Sequence, residues 1–377
     1  MSGEDERGAG DGDAARRGEE RRPRWSGWPV RPVRLARSGW SGRSRLFKAA
    51  GVAVGCALVV SVAGAAWAYW QLNHNIKSVD IDSALGDDRP PRAMTTPTGT
   101  VTASASPLPS GALNILVLGS DSRGGERNKE LGGGSSEGAR SDTAMIVHVD
   151  EGRSEATVVS IPRDTLVTRP SCPQSSGGST PMAYSVMFNS AYSTGGPVCA
   201  VKTVETMTNV RMDHYIEIDF AGFADLVDAL GGVTVTTDED ISDEDSHLEL
   251  EAGTHHLDGT QALAFARTRH GIGDGSDLGR IGLQQKLVKA LLDQVSSTDL
   301  LASPTRLYTV ADALTSSLTT DTGLNSLSEL VDLGQSLRSL SSTSMETVTM
   351  PVIPALSDPN RVVAEEPEAA ELWESLK

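Results

Sequence analysis

Cysteine is scarce, three in 377 residues, and no two of them form a CxxC pair. A structural zinc site needs such spacing and is not expected. Positive charge is scarce over most of the chain. Residues 1–48 hold 12 of the 33 Lys and Arg but only 7 of the 50 Asp and Glu, which leaves 21 basic and 43 acidic residues, a formal −22, for everything that follows. A body of that sign repels phosphate backbones, which excludes nucleic acid as a partner. Acids are missing from Arg21 to Lys48, and charge of either sign is missing from the next 22 residues, AAGVAVGCALVVSVAGAAWAYW, Ala49 to Trp70.

As a helix that uncharged run is about 33 Å long, close to the ~30 Å hydrocarbon thickness of a bilayer. Its flanks orient it. Arginines before it and acids after it put residues 1–48 in the cytoplasm as a basic, disordered segment, and put the rest outside the cell membrane, with Trp67, Tyr69 and Trp70 at an outer aromatic belt. The basic segment then serves orientation and contact with anionic lipid. Cleavage near Ala66-Trp67-Ala68 as a signal peptide is the rival, opposed by the long N-region and the long apolar run. Beyond the single transmembrane helix at 49–70, residues 71–110 are rich in Pro, Ser and Thr without periodicity and read as an extended spacer. Residues 111–355 read as one folded extracellular domain, and 356–377 as an acidic tail. An apolar content of 38% is enough for a real core.

Within that domain Asn114 to Leu118 (NILVL), Ala144 to Val149 and Thr157 to Ile161 read as short buried strands. The polar turn Asp150 to Glu155 makes the last two antiparallel neighbours. His214 to Phe220 alternates as a strand. In AGFADLVDAL the spacing of Phe223, Leu226, Val227 and Leu230 marks one helix face, stopped at Gly231-Gly232, before VTVTT resumes strand. The sum is an α/β domain with a mixed central β-sheet flanked by helices on both faces. Cys172 and Cys199 lie in Pro/Gly/Ser-rich loops, where an oxidising compartment favours a 172–199 disulfide over two unpaired thiols.

The stretch SIPRDT, Ser160 to Thr165, ends a β-branched strand on an arginine beside an aspartate. With the first strand running up, Asp121 follows its top, Asp142 precedes the second strand there, and the third strand delivers Arg163 and Asp164 to the same edge. Strand ends are where α/β domains carry chemistry. LDGTQALAFARTRH, Leu257 to His270, reads as a helix capped at Asp258 and ending in Arg267 and Arg269. After a Gly-rich loop a second helix puts Asp277, Arg280 and Gln284 on one face. Arginines converging with two carboxylates suit a pyrophosphate and a divalent cation, since guanidinium forks hold phosphate oxygens and Mg²⁺ takes carboxylate oxygens. Singly, each has an ordinary reading: turn or cap residues for Asp121 and Asp142, a surface ion pair for Arg163 and Asp164, helix-end charge for Arg267 and Arg269. Together, in a chain that is formally −22 beyond residue 48, they point to a bound anion.

NILVLGSDSR, RSDTAMIVHVD, VVSIPRDT, FNSAY, DHYIEIDFAGFADLVDALGGVTV, LDGTQALAFARTRH and DLGRIGLQQK, in this order, closely resemble the LytR-CpsA-Psr domain. The match runs from Ala112 to Leu292 and on to the strand end at Val348 to Pro351. The resemblance implies a cell-wall glycopolymer ligase, a phosphotransferase. Such an enzyme moves an anionic polymer, such as a teichoic acid or capsule, from a polyprenyl-pyrophosphate carrier to the N-acetylmuramic acid 6-hydroxyl of peptidoglycan, releasing polyprenyl phosphate. It implies Asp121 and Asp142 as ligands of Mg²⁺ or Mn²⁺. It makes Arg163, Arg267 and Arg269 a pyrophosphate clamp with Gln284 beside them, Asp277 and Arg280 lining the same site, and Arg123 contributing.

Attack by a sugar hydroxyl leaves Asp277 or Asp164 as general base. Phe220, Phe223 and Leu226 are walls for the lipid tail or ordinary core. Two positions depart from the family's pattern, Met187 and Leu283, each where a basic residue is common, with Lys202 or Arg211 left to compensate. The same residues also allow a hydrolase of lipid-linked pyrophosphates, with water as acceptor, or a non-catalytic membrane-anchored regulator. The orientation is testable directly: a reporter active only outside the cytoplasm is expected to work when fused after Ser110 and to fail when fused before Ala49. The opposite pattern overturns the orientation.

Overall fold

A computed structural model describes residues 41–92, 111–120, 141–174, 177–269, 277–297 and 303–377. The chain divides into two units, Met1–Val60 and Ser61–Lys377. Helix α1 (Ser41–Asn75) carries the apolar run, and its portion Ala53–Asn75 is long and apolar enough to cross a membrane, continuing past the expected end at Trp70.

Residues 71–92 are not a spacer. Strand β1 (Lys77–Val79) and helix α2 (Ile81–Leu85) follow α1 directly. β1 extends the edge of the central sheet, and Ile81 and Leu85 enter its core. Arg89 buries its guanidinium against Glu205 (Nε to Oε1 3.0 Å) and donates to the Met212 carbonyl at 2.6 Å. Asn73 Oδ1 accepts from Leu327 N at 3.0 Å, and Asn75 Nδ2 donates to Asp312 Oδ1 at 2.9 Å. Composition predicted a linker because each of these hydrogen-bond partners lies more than a hundred residues away in the chain. Residues 93–110, the rest of that segment, fall outside the described residues.

The sheet strands are β2 (Leu113–Ser120), β3 (Ser141–Val149) and β4 (Ala156–Ser160). A hairpin β5 (Leu166–Arg169) and β6 (Ala183–Met187) leads into helix α3 (Asn189–Thr208) and strand β7 (His214–Asp219). Then come α4 (Phe220–Ala229), β8 (Val233–Thr237), β9 (Ile241–Asp243), β10 (Leu248–Leu250), β11 (Gly253–Leu257) and α5 (Gly259–Arg267). Helices α6 (Asp277–Ser297) and α7 (Pro304–Ser317), strand β12 (Leu318–Asp321) and α8 (Leu327–Ser336) follow. The chain closes with β13 (Met345–Thr349), β14 (Val352–Ala355), β15 (Asp358–Ala364) and α9 (Glu368–Glu374).

The central sheet has seven strands in the order β1-β12-β7-β2-β3-β4-β13. β2, β3 and β4 form the expected antiparallel meander, while β7 runs parallel to β2 and β13 parallel to β4. The two-residue period of β2 sorts its side chains: Leu116 and Leu118 join the core under α2 and α3, whereas Leu113, Ile115 and Val117 pack on the face covered by α8. VTVTT is a strand as expected, but it lies outside the central sheet. β8 pairs with β11, and with α4, α5 and α6 it encloses a separate apolar cluster around Val233, Phe265 and Leu287. α5 approaches α4 so closely that a Cβ on Gly259 would lie 2.1 Å from the Ala224 carbonyl oxygen.

Cys172 and Cys199 form a disulfide and are fully buried. The bond ties the loop after β5 to α3, a helix interrupted at Gly195-Gly196 (φ +65° at Gly196) and resumed at Pro197.

The last 22 residues are not a tail. β14 and β15 pair as a hairpin, and Trp373 and Leu376 insert into the same core as Leu116 and Tyr215, with Asn114 Nδ2 donating to the Leu376 carbonyl at 3.1 Å. The acids that made the segment look solvated, such as Glu366, Glu368 and Glu371, are on its outward face. Trp373→Ala is therefore expected to cost about 3–5 kcal/mol of stability, read by denaturant unfolding. A change of a few tenths would restore the tail reading.

Candidate functional site

Three strand ends meet at one edge of the sheet. The register pairs Ser120 at the end of β2 with Ser141 at the start of β3, one residue from Asp142. β4 ends opposite Met145 and passes into the turn Ile161 to Thr165. There the Pro162 carbonyl accepts from both Thr165 N (3.1 Å) and Thr165 Oγ1 (2.7 Å). The Arg163 carbonyl accepts from Asn189 N at 3.2 Å, so the turn is tied to α3. Proline stops the strand and the closed turn aims Arg163 inward across the sheet edge.

Arg163 Nη1 donates to Asp142 Oδ1 at 2.6 Å, and its Nε lies 3.5 Å from Asp277 Oδ1 and 3.7 Å from Asp164 Oδ2. Asp277 opens α6 and ion-pairs with Arg280 one turn on, as their shared face predicts. Arg280 is 3% exposed and donates to the Asp142 carbonyl at 3.1 Å. Burial pushes its guanidinium down to about 10, Arg163 and Arg269 add to that push, and Asp277 and Asp142 oppose it. It stays charged at neutral pH.

α5 supplies the other arginines. Its capping box, Asp258 with Gln261, fixes where it starts, and Arg267 falls in its last turn with Cζ 4.9 Å from the Phe220 ring centroid. Arg269 lies beyond the helix end, where its N–H donates to Asp243 Oδ2 at 2.7 Å. Ser246 Oγ meets Thr268 Oγ1 at 2.8 Å, so the β9–β10 turn pins the segment that carries Arg269. Gln284 acts as a brace, its Nε2 donating to Thr143 Oγ1 and the Ala266 carbonyl, both at 2.9 Å.

Arg267, Arg269, Arg280 and Gln284, together with Asp142, Asp219, Asp243 and Asp245, form the polar lining of a cavity of about 430 Å³. Its other walls are apolar: Phe220, Phe223 and Leu226 from α4, Leu263 from α5, Leu287 and Leu291 from α6. The helix face read as candidate lipid walls does line a cavity.

Asp121 and Arg123 lie outside the described residues. Among the described residues no group of three or more His, Cys, Asp or Glu is arranged to hold a metal ion. Among them, too, the Asp142 carboxylate has one arginine, Arg163, and the Ser120 hydroxyl is buried with no hydrogen-bond partner. Lys202 and Arg211 do not compensate for Met187 and Leu283. Lys202 pairs with Asp88 at 2.9 Å and Arg211 with Asp82 at 3.4 Å, on the side of α2, and Leu283 is buried in the apolar cluster between α5 and α6. Asp243 and Ser246 were not singled out from sequence. Six of the eight residues from Asp238 to Asp245 are acidic, and nothing local marks the one that turns inward.

Fold and geometry define a mixed α/β domain with a largely apolar cavity whose polar lining includes three arginines. A family model for the LytR_cpsA_psr family matches residues 68–377, and the chain belongs to that family. It is 38% identical over 200 residues to the probable cell wall biosynthesis protein LcpB of Corynebacterium glutamicum, covering 52% of this chain and 45% of the relative. Over 238 residues it is 30% identical to the polyisoprenyl-teichoic acid–peptidoglycan teichoic acid transferase TagV of Bacillus subtilis, covering 62% of this chain and 57% of the relative. The alignments thus span about half the length of these curated relatives. The solved LytR-Csp2A-Psr enzyme from Actinomyces oris shares the fold, with a TM-score of 0.56 at 22% identity over 80% of this chain and 95% of that one.

The pair Asp277–Arg280 makes a stability prediction. Asp277→Leu strands a buried guanidinium beside two other arginines, and is expected to cost about 3 kcal/mol. Adding Arg280→Met should recover that loss in thermal unfolding. Additive losses in the double variant would show that the two groups do not depend on each other.

Proposed function

We propose that this chain is a membrane-anchored phosphotransferase that moves an anionic glycopolymer from a polyprenyl-pyrophosphate carrier to a hydroxyl of peptidoglycan. One observation carries this reading: an apolar cavity whose mouth is set with arginines, the shape of a binding site for an amphiphile with a lipid tail and an anionic head. The similarity to TagV, whose name states such a transfer, supports it. So does the apolar helix at Ala53–Asn75, which in the orientation read from its flanks would hold the domain outside the cell and beside a carrier that stays in the bilayer.

In this reading the cavity takes the first isoprene units against Phe223, Leu226 and Leu287, and the diphosphate lies at its polar end. The sugar hydroxyl attacks in line at the phosphorus nearer the polymer, and polyprenyl phosphate leaves. Arg163, Arg267 and Arg269 offset the charge that spreads over the equatorial oxygens, acting as preorganised donors in a partly dry site. Arg280 supports them, and Asp164 and Asp277 are the carboxylates beside Arg163 to which the hydroxyl proton can pass. A divalent cation such as Mg²⁺ would be held by Asp142 with Asp121 and would draw charge from phosphate oxygens. The lone-arginine environment of Asp142 and the orphaned Ser120 hydroxyl fit such an oxygen-donor site.

Incubating the full chain in detergent with labelled lipid-linked polymer and a peptidoglycan oligomer is expected to yield polymer joined to glycan. Polymer phosphate set loose in solution would mean a hydrolase. Arg163→Ala is expected to lower turnover by ~10² to 10³, about 2.7 to 4 kcal/mol, as for loss of one preorganised donor. Arg163→Lys should rescue it only in part, because the planar fork is gone. Normal transfer by Arg163→Ala removes it from the catalytic set.

A further inference from the structure

Three carboxylates crowd one guanidinium. Arg163 has Asp142 at 2.6 Å, Asp277 at 3.5 Å and Asp164 at 3.7 Å. Asp142 holds Nη1, so the rest of the guanidinium is open to an anion only where the other two acids are engaged by cations of their own. Asp277 is engaged by Arg280. Asp164 is engaged by Arg361, whose Nη1 lies 3.5 Å from Asp164 Oδ1, while Arg163 approaches the other oxygen, Oδ2.

Arg361 comes from β15, in the segment that composition marks as a solvated tail. It reaches the site because Val362 bridges to Thr165, the last residue of the SIPRDT turn. The side chain is steadied from its own hairpin, with Nε 4.0 Å from Asp358 Oδ2 and Nη1 donating to the Asn360 carbonyl at 3.2 Å. Arg163 stands just behind the cavity lining, joined to it through Asp142, and neither Asp164 nor Arg361 lines the cavity. The partner of Arg361 is Asp164, not the space a ligand would fill.

We propose that Arg361 is a positioning residue for the anion site: by holding Asp164 it keeps that carboxylate from closing on Arg163, and so leaves the Arg163 guanidinium turned toward a phosphate. The inference rests on the reading of the site as a pyrophosphate clamp. Without Arg361, Asp164 has one cationic partner instead of two, its 3.7 Å approach to Nε shortens, and Arg163 is drawn away from Asp142, its link to the cavity lining. The contact to Arg361 is a single long ion pair and not a planar fork, so charge rather than shape is what the position requires.

Binding of geranyl pyrophosphate to the full chain in detergent micelles, followed by calorimetry, tests this with four proteins: the unaltered chain, Arg361→Ala, Arg361→Lys, and Arg361→Ala combined with Asp164→Asn. Arg361→Ala is expected to weaken binding about fivefold, the scale of one partly exposed ion pair. Arg361→Lys should keep most of the affinity. Adding Asp164→Asn to Arg361→Ala should restore it, because a neutral amide no longer competes for Arg163, and a purely structural loss would not be repaired that way. Unchanged affinity in Arg361→Ala overturns the inference alone, as does a double variant that stays as weak as the single one. Failure of the unaltered chain to bind overturns the clamp reading and this inference with it.

Discussion

Guanidinium groups held close together at the mouth of an apolar cavity repel one another and lose hydration, and the rest of the structure is arranged around that cost. Arg280 is pushed down to about 10 by burial first, with Arg269 in the lining and Arg163 just behind it adding to the push. Carboxylates hold them in place without filling the site: Asp142 at the start of β3, Asp277 at the start of α6, Asp164 in the turn after β4. Such a cluster gains when a polyanion enters, since the ligand supplies the negative charge that the crowded arginines lack.

The cavity exists because two apolar bodies meet without merging. One is the central sheet, with cores on both of its faces; the other is the cluster of α4, α5, α6 and β8 to β11. Val117, Met145 and Ile218 of the sheet face Phe223 and Leu226 of α4 across the gap. Arg267, stacked on Phe220, sits where the apolar wall gives way to the charged mouth. In the function proposed above, the ligand that fits this gradient is oily at one end and anionic at the other.

The segments flanking the expected domain turn out to belong to it. β1, α2 and Arg89 before β2, and the hairpin and α9 after β13, pack on the sheet or its core. The strand after α1 therefore joins the central sheet itself, with Asn73 and Asn75 bonded to the domain rather than standing as part of a loose tether.

Elements whose signal is local were legible in the sequence. The meander β2-β3-β4, the amphipathic α4, the capped α5 and the helix face of Asp277, Arg280 and Gln284 each follow from a period, a cap or a turn within a few residues. Strand ends then put Asp142, Arg163 and Asp164 on one edge, and charge scarcity made an arginine cluster there meaningful. Arg361, Asp243, Trp373 and Arg89 carry no such local mark: each is one charged or aromatic residue in a polar stretch, and each acquires its role from a partner far along the chain. By itself the sequence determined the order of elements, the apolar helix and the arginines that the fold gathers near one edge of the sheet. Only the tertiary structure decided which carboxylate each arginine answers and how far the domain extends, because long-range pairing is set by the packing of whole elements and leaves no periodic trace in the segments it joins.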